Sequence, residues 1–133
     1  SPRGPYKTDV SVRIGALPEF VREVQALLRD GFPQLEVVWF GHIGDGNLHI
    51  NLLPPESMGS EAFGNLRGEV TSLLAAALSR HGGSISAEHG IGLVKREYLS
   101  SSRSGAEIAL MRGIRASFDP NGVLNPGKLF TAD

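Results

Sequence analysis

The stretch Trp39-Phe40-Gly41-His42-Ile43-Gly44-Asp45-Gly46-Asn47-Leu48-His49-Ile50-Asn51 decides how the chain folds. Two apolar runs flank Asp45-Gly46, a pair suited to a two-residue type I′ turn because both central residues must reach positive φ. With that turn, Gly44 pairs with Asn47, Ile43 with Leu48 and His42 with His49. The two histidines then face each other with Cβ atoms roughly 5 Å apart. Two imidazoles so placed can reach one metal ion at about 2.0–2.1 Å each. Asn51 follows on the same face, while Ile43, Leu48 and Ile50 point to the opposite face and a core. A second stretch, Ala87-Glu88-His89-Gly90-Ile91-Gly92, sets Glu-His beside glycines and supplies further ligand-type side chains. Histidines on strands also serve as ordinary half-buried residues, and spacing by itself does not separate the two readings.

Outward from the hairpin, periodicity assigns the neighbouring elements. Thr8 to Ile14 alternates polar and apolar residues and predicts a strand with Val10, Val12 and Ile14 buried. Pro18 suits the first turn of a helix. Phe20, Val21, Val24, Leu27 and Leu28 then follow helical spacing until Asp30-Gly31 ends it. Phe63, Leu66, Val70, Leu73, Leu74, Ala77 and Leu78 form the stripe of a second long helix, weakened by Gly64 and Gly68. Gly82-Gly83 caps that helix, and His81 reads as a complement to its C-terminal dipole. Ser84-Ile85-Ser86 is a short extended piece. The order strand, helix, strand, strand, helix, strand predicts an α+β fold: a ferredoxin-like βαββαβ antiparallel sheet with helices on one face. That part occupies residues 1–87, and a helical C-terminal extension over 88–133 completes a single domain. The extension holds a short helix through Tyr98, another from Ala106 to Ser117, and the tail Leu124-Asn125-Pro126-Gly127-Lys128. Ser1 to Pro5 reads as an irregular leader. The hairpin face bearing His42, His49 and Asn51 is left uncovered.

Composition narrows the function classes. The 133 residues are 41% hydrophobic, enough for a real core, and a net charge of −1 gives no reason to expect nucleic acid. No apolar run reaches the ~20 residues of a membrane span. With no cysteine, disulfides and thiolate ligands are excluded, so a metal would need His, Asp or Glu. Seven of the 17 glycines cluster at 41–46, 82–83 and 90–92, around the candidate site, which fits backbone packed close to a ligand.

Gly41-His42-Ile43-Gly44-Asp45-Gly46-Asn47-Leu48-His49, Glu88-His89-Gly90-Ile91-Gly92 with Lys95, and Leu124-Asn125-Pro126-Gly127-Lys128 resemble the C-terminal region of the FAD-linked oxidase family. This is the group of D-2-hydroxyglutarate, D-lactate and glycolate dehydrogenases. Tyr6 to Val12 is similar to the strand that opens the region, and Arg13 stands where the family usually has proline. The resemblance implies a C-terminal portion of an enzyme whose FAD sits mainly on a separate N-terminal domain, which would cover the open sheet face. It implies His42, His49 and Glu88 as ligands of a divalent metal, zinc or manganese, and His89 as general base. Lys7 and Asn51 would bind the substrate, a small 2-hydroxy acid, and Asn125 would lie near the flavin. The α-hydrogen would leave as hydride to flavin N5.

Other partners expected are an electron acceptor and a second copy in a homodimer. The expected location is the cytoplasm or the inner-membrane periphery. Lys95 and Lys128 read as surface lysines, and Asp45 as turn chemistry. Two alternatives stay open on the residues: a small His/His/Glu metal hydrolase, and a non-catalytic ferredoxin-like binding module.

Overall fold

Three strands form one antiparallel sheet, in the order β1-β3-β2, in the computed structural model, which describes residues 4–130. β1 is Tyr6–Ser11, β2 is Glu36–His42 and the central strand β3 is Asn47–Leu53. The helices are α1 (Leu17–Gly31), α2 (Ser60–Arg80), the single turn α3 (Leu99–Ser102) and α4 (Gly105–Phe118). The chain is α+β, as its periodicity indicates. The first three residues of the expected leader lie outside the described part.

One face of the sheet is apolar because alternate residues of each strand point to it. Val10, Leu48, Ile50 and Leu52 there share a core with Phe20, Val24 and Leu28 of α1 and Phe63, Val70, Leu74 and Leu78 of α2. Each such side chain contributes about 1.5–3 kcal/mol on burial. Gly64 and Gly68 fall on exposed positions of α2, away from this packing. His81 does more than end α2. Its Nε2 lies 2.6 Å from Glu23 Oε2 on α1, and Arg80 Nε donates to Glu23 Oε1 at 2.9 Å. These bonds, the imidazole's first, hold the Glu23 carboxyl below its ordinary range. Besides standing at the C-terminus of α2, His81 clamps the two long helices together.

The hairpin differs from expectation in register. His42 pairs with Asn47, Gly41 with Leu48 and Phe40 with His49. Residues Ile43–Asp45 form a 3-10 turn closed by Gly46, whose N–H donates to Ile43 O at 3.1 Å. The loop therefore has four residues instead of two, and Ile43, expected in the core, is 67% exposed. The cause lies outside the hairpin. Val12 N donates to Gly46 O at 3.0 Å, so the end of β1 holds the turn. At Gly46, φ is +68° and an added Cβ would meet Val12 O at 2.0 Å, so only glycine fits.

Two further expectations change. Val10 and Val12 are buried, but β1 stops at Ser11 and Ile14 is exposed in a second 3-10 turn, Ile14–Ala16. Ser84-Ile85-Ser86 is not a fourth strand. It makes one antiparallel bridge, Ser84 to Ser11, on the free edge of β1. The chain leaves that edge because the N–H groups of Ala87, Glu88 and His89 bond the Asp9 carboxylate instead of the backbone of β1.

Arg13 holds φ −57° and ψ 140°, within the range that a proline ring fixes. Its N–H donates to no backbone carbonyl among the described residues. Arg13→Pro is therefore expected to stabilise the chain by about 0.4–1 kcal/mol, by restricting the unfolded ensemble. A thermal melt should show a midpoint raised by roughly 2–4 °C.

Candidate functional site

The sheet face opposite the helices collects the polar residues. Strand alternation and register put Lys7 across from Asn51 and Asp9 across from His49 on β1 and β3. Phe40 lies across from His49, and His42 across from Asn47, on β2 and β3. The two histidines thus share a face, but diagonally, with ring centroids 6.1 Å apart and the planes nearly perpendicular. Phe40 stacks on the His49 ring with centroids 4.9 Å apart. His49 is pinned and largely covered, whereas the side chain of His42 is 63% exposed.

Asp9 ties this face to the Glu88-His89 turn. Its Oδ2 accepts from the backbone N–H groups of Ala87 (3.1 Å), Glu88 (3.0 Å) and His89 (3.4 Å), and from Ser86 Oγ (3.3 Å). Burial pushes the Asp9 carboxyl up. The three N–H groups and the Lys95 ammonium outweigh that and hold it below the ordinary value of 3.8. Lys95 donates to Ile85 O at 2.7 Å and to Asp9 O at 3.4 Å, so it is a half-buried brace and not the surface lysine expected. Burial lowers its pKa, partly offset by Asp9. Lys128, by contrast, is exposed and bonds Asn125 Oδ1 at 3.2 Å.

Glu88 is brought back over β3. Asn47, itself buried, donates its side-chain amide to Glu88 Oε1, and His42 Nδ1 lies 3.4 Å from the same oxygen. His89 Nε2 is 3.7 Å from Glu88 Oε2. Ligand atoms of Asp9, His49 and Glu88 all lie within 4.8 Å of one another, a spread wider than the roughly 3.4 Å between neighbouring ligands of a tetrahedral ion. Imidazole nitrogen and carboxylate oxygen are donors that suit zinc or manganese, so the set fits a divalent ion.

An open cleft of about 470 Å³ adjoins this cluster. Lys7, His49, Asn51 and His89 line it, with Phe40 and the loop Gly90-Ile91-Gly92. Of the residues singled out in the sequence, His42 and Glu88 meet each other beside it. Asn125 does not line the cleft. It sits exposed in the tail at φ 44°, its carbonyl accepting from Arg115 and Lys128. That tail reaches the cleft loop through Leu129 N, which donates to Gly92 O at 3.0 Å, and Arg96 Nη1 donates to Gly127 O at 2.8 Å. Asp9, Asn47 and Lys95 escaped the sequence reading as site residues. No sequence signal marks Asp9: in an alternating strand it falls on the polar face, where an acidic residue reads as solvated until the segment covering it is known.

The family model for the C-terminal domain of FAD linked oxidases matches residues 3–129. A D-2-hydroxyglutarate dehydrogenase of Xanthomonas citri pv. viticola is 64% identical over 95% of this chain and 27% of its own length. One from Stutzerimonas stutzeri is 49% identical over 96% of this chain and 28% of its own. A putative mitochondrial D-lactate dehydrogenase of Schizosaccharomyces pombe is 38% identical over 94% and 24%. The chain belongs to the family of FAD linked oxidase C-terminal domains, and it spans about a quarter of the length of these curated relatives. No helix among the described residues is long and apolar enough to cross a membrane.

The Asp9 carboxylate gives the stability of this site a pH dependence with a definite sign. Its pKa is depressed on folding, so its contribution is full above about 3.8 and is lost as pH falls through the lower folded value. Asp9→Ala leaves three part-buried N–H groups without their acceptor and is expected to cost on the order of 1–3 kcal/mol near neutral pH. Urea denaturation over a pH series should show that difference shrinking steadily below the ordinary carboxylate range.

Proposed function

We propose that this chain is the substrate- and metal-binding portion of an FAD-dependent dehydrogenase that oxidises a D-2-hydroxy acid to the 2-oxo acid. The observation that carries the proposal is the cleft where Lys7, Asn51 and His89, from three separate segments, converge beside the His49 and Glu88 ligand atoms. The names of the relatives point to the same substrate class. The flavin itself would be held mainly by a companion FAD-binding domain of the same protein.

His42, His49 and Glu88 would hold a zinc or manganese ion. Two neutral imidazoles and one carboxylate leave such an ion net charge and open positions, which supply Lewis acidity toward an α-hydroxyl and its carboxylate. Asn47 fixes the rotamer of Glu88, so that ligand is set in place before an ion arrives. Phe40 and Leu93, each 52% exposed, give the cleft an apolar rim that suits a planar ring system. A flavin bound there would supply two-electron acceptor chemistry, with a separate electron acceptor as a further partner. Asn125 would contact the flavin from the tail.

The chain's own residues would do the rest. Lys7 pairs its ammonium with a substrate carboxylate, and Asn51, directly across from it on β3, donates or accepts at a neighbouring oxygen. His89 takes the hydroxyl proton as general base. Gly90 and Gly92, at φ 71° and 52°, let the chain bend so that Glu88 turns to the ion and His89 to the substrate. The covered sheet behind keeps His49 from swinging out, since Phe40 stacks against it.

Two measurements test this reading. The 133 residues alone should bind no FAD tightly and oxidise no D-2-hydroxy acid; flavin copurifying in stoichiometric amount would overturn the division of labour. In the whole enzyme, His49→Ala should lower metal content by elemental analysis. His89→Asn should keep the metal and slow anaerobic flavin reduction by roughly 10²–10⁴-fold, the usual contribution of a placed general base. The reverse pattern, with metal lost in His89→Asn and kept in His49→Ala, would mean that ligand and base are wrongly assigned.

A further inference from the structure

The Asp9 carboxylate has two oxygens with different fates. Oδ2 collects three backbone N–H groups and the Ser86 hydroxyl, which fixes the carboxylate plane. Oδ1 is buried and has no hydrogen-bond partner among the described residues. It faces His49 Nδ1 at 3.9 Å, beyond hydrogen-bond length, from the residue directly across the β1–β3 pairing. A buried carboxylate oxygen left without a donor is costly, and bracing the 86–89 turn does not require it.

Across the β1–β3 pairing, His49 can offer that oxygen an N–H. Lys95 bonds the backbone carbonyl of Asp9, and Asn47 turns its amide to Glu88. Phe40 stacks on the imidazole and limits its freedom, and Nδ1 lies 3.9 Å from the oxygen. A neutral imidazole carries one N–H, and the nitrogen without it is the one that can bind an ion. The hydrogen bond made by one nitrogen therefore selects the other as ligand.

We infer that Asp9 is the positioning residue for His49: its free oxygen accepts the Nδ1 proton and leaves Nε2 as the ion-facing nitrogen. The inference deepens the metal reading above and rests on it. Asp9 thereby serves two of the ligands at once, one through the backbone of Glu88 and the other through the tautomer of His49.

The test begins with the unaltered chain, labelled with ¹⁵N and held near pH 8, where a histidine of ordinary pKa is neutral. Two-bond ¹H–¹⁵N correlation spectra without added metal should show His49 protonated at Nδ1. Protonation at Nε2 would overturn the proposal, whatever any variant does. The second arm is Asp9→Asn. Its amide oxygen can still take the backbone N–H groups, but its NH₂ then faces His49 Nδ1, which must accept. The proton moves to Nε2, and Zn²⁺ affinity measured by calorimetry should fall by about 10–100-fold. An unchanged tautomer in Asp9→Asn, with or without loss of Zn²⁺, would refute the positioning role. With Zn²⁺ lost, Asp9 would be a direct ligand; with Zn²⁺ kept, it would be a brace for the turn alone. The tautomer measurement uses no flavin, substrate or ion, so its failure leaves the hydroxy acid reading standing. A failure of that reading in turn leaves the tautomer result intact.

Discussion

A single buried carboxylate gathers the candidate site. Asp9 stands on an edge strand, and its Oδ2 draws in the backbone of residues 86–89 from nearly eighty positions along the chain. Without that acceptor, three N–H groups would need other partners, and the extended chain after Gly83 would have reason to continue along β1. The carboxylate thus trades a fourth strand for a turn that carries Glu88 and His89. One side chain decides both the width of the sheet and the position of two site residues.

The fold was legible where local pattern and tertiary packing agree. The apolar stripes of α1 and α2, and the inward set Val10, Leu48, Ile50 and Leu52, follow from spacing alone, because a helix or strand face is a local property. Ile14 and Ile43 were misread for the same reason. Each continues an alternating run, yet each sits in a 3-10 turn set by the bond from Val12 to Gly46, a contact no window of sequence contains. Asp-Gly does signal a turn here, but glycine is used for close approach to another segment and not for a two-residue I′ geometry.

The candidate site was legible in part. The shared face of His42 and His49 survives a change of register because the two pairings differ by an even number of positions, which leaves every side chain on its original face. The role of Asp9 was not legible, since a lone acidic residue in a strand reads as a solvated position unless the segment that covers it is known. Asn47 was hidden likewise inside a turn motif, where its composition already had a sufficient explanation. Lys95 reads as a surface residue in the sequence because its two carbonyl partners, on Ile85 and Asp9, belong to separate segments.

The lock between Gly46 and Val12 bears on how length can vary along the chain. The 43–46 loop is fixed at its tip by the end of β1, and its last residue has no room for a side chain. An inserted residue there would lift the tip off Val12 and shift Asn47 relative to Ser11, breaking the pairing on both sides of β3. The connection from Pro54 to Gly59, which is partly exposed and joins β3 to α2, makes no backbone hydrogen bond to another strand among the described residues. Insertions and deletions are therefore tolerated at the 54–59 connection, while the hairpin tip admits one length alone.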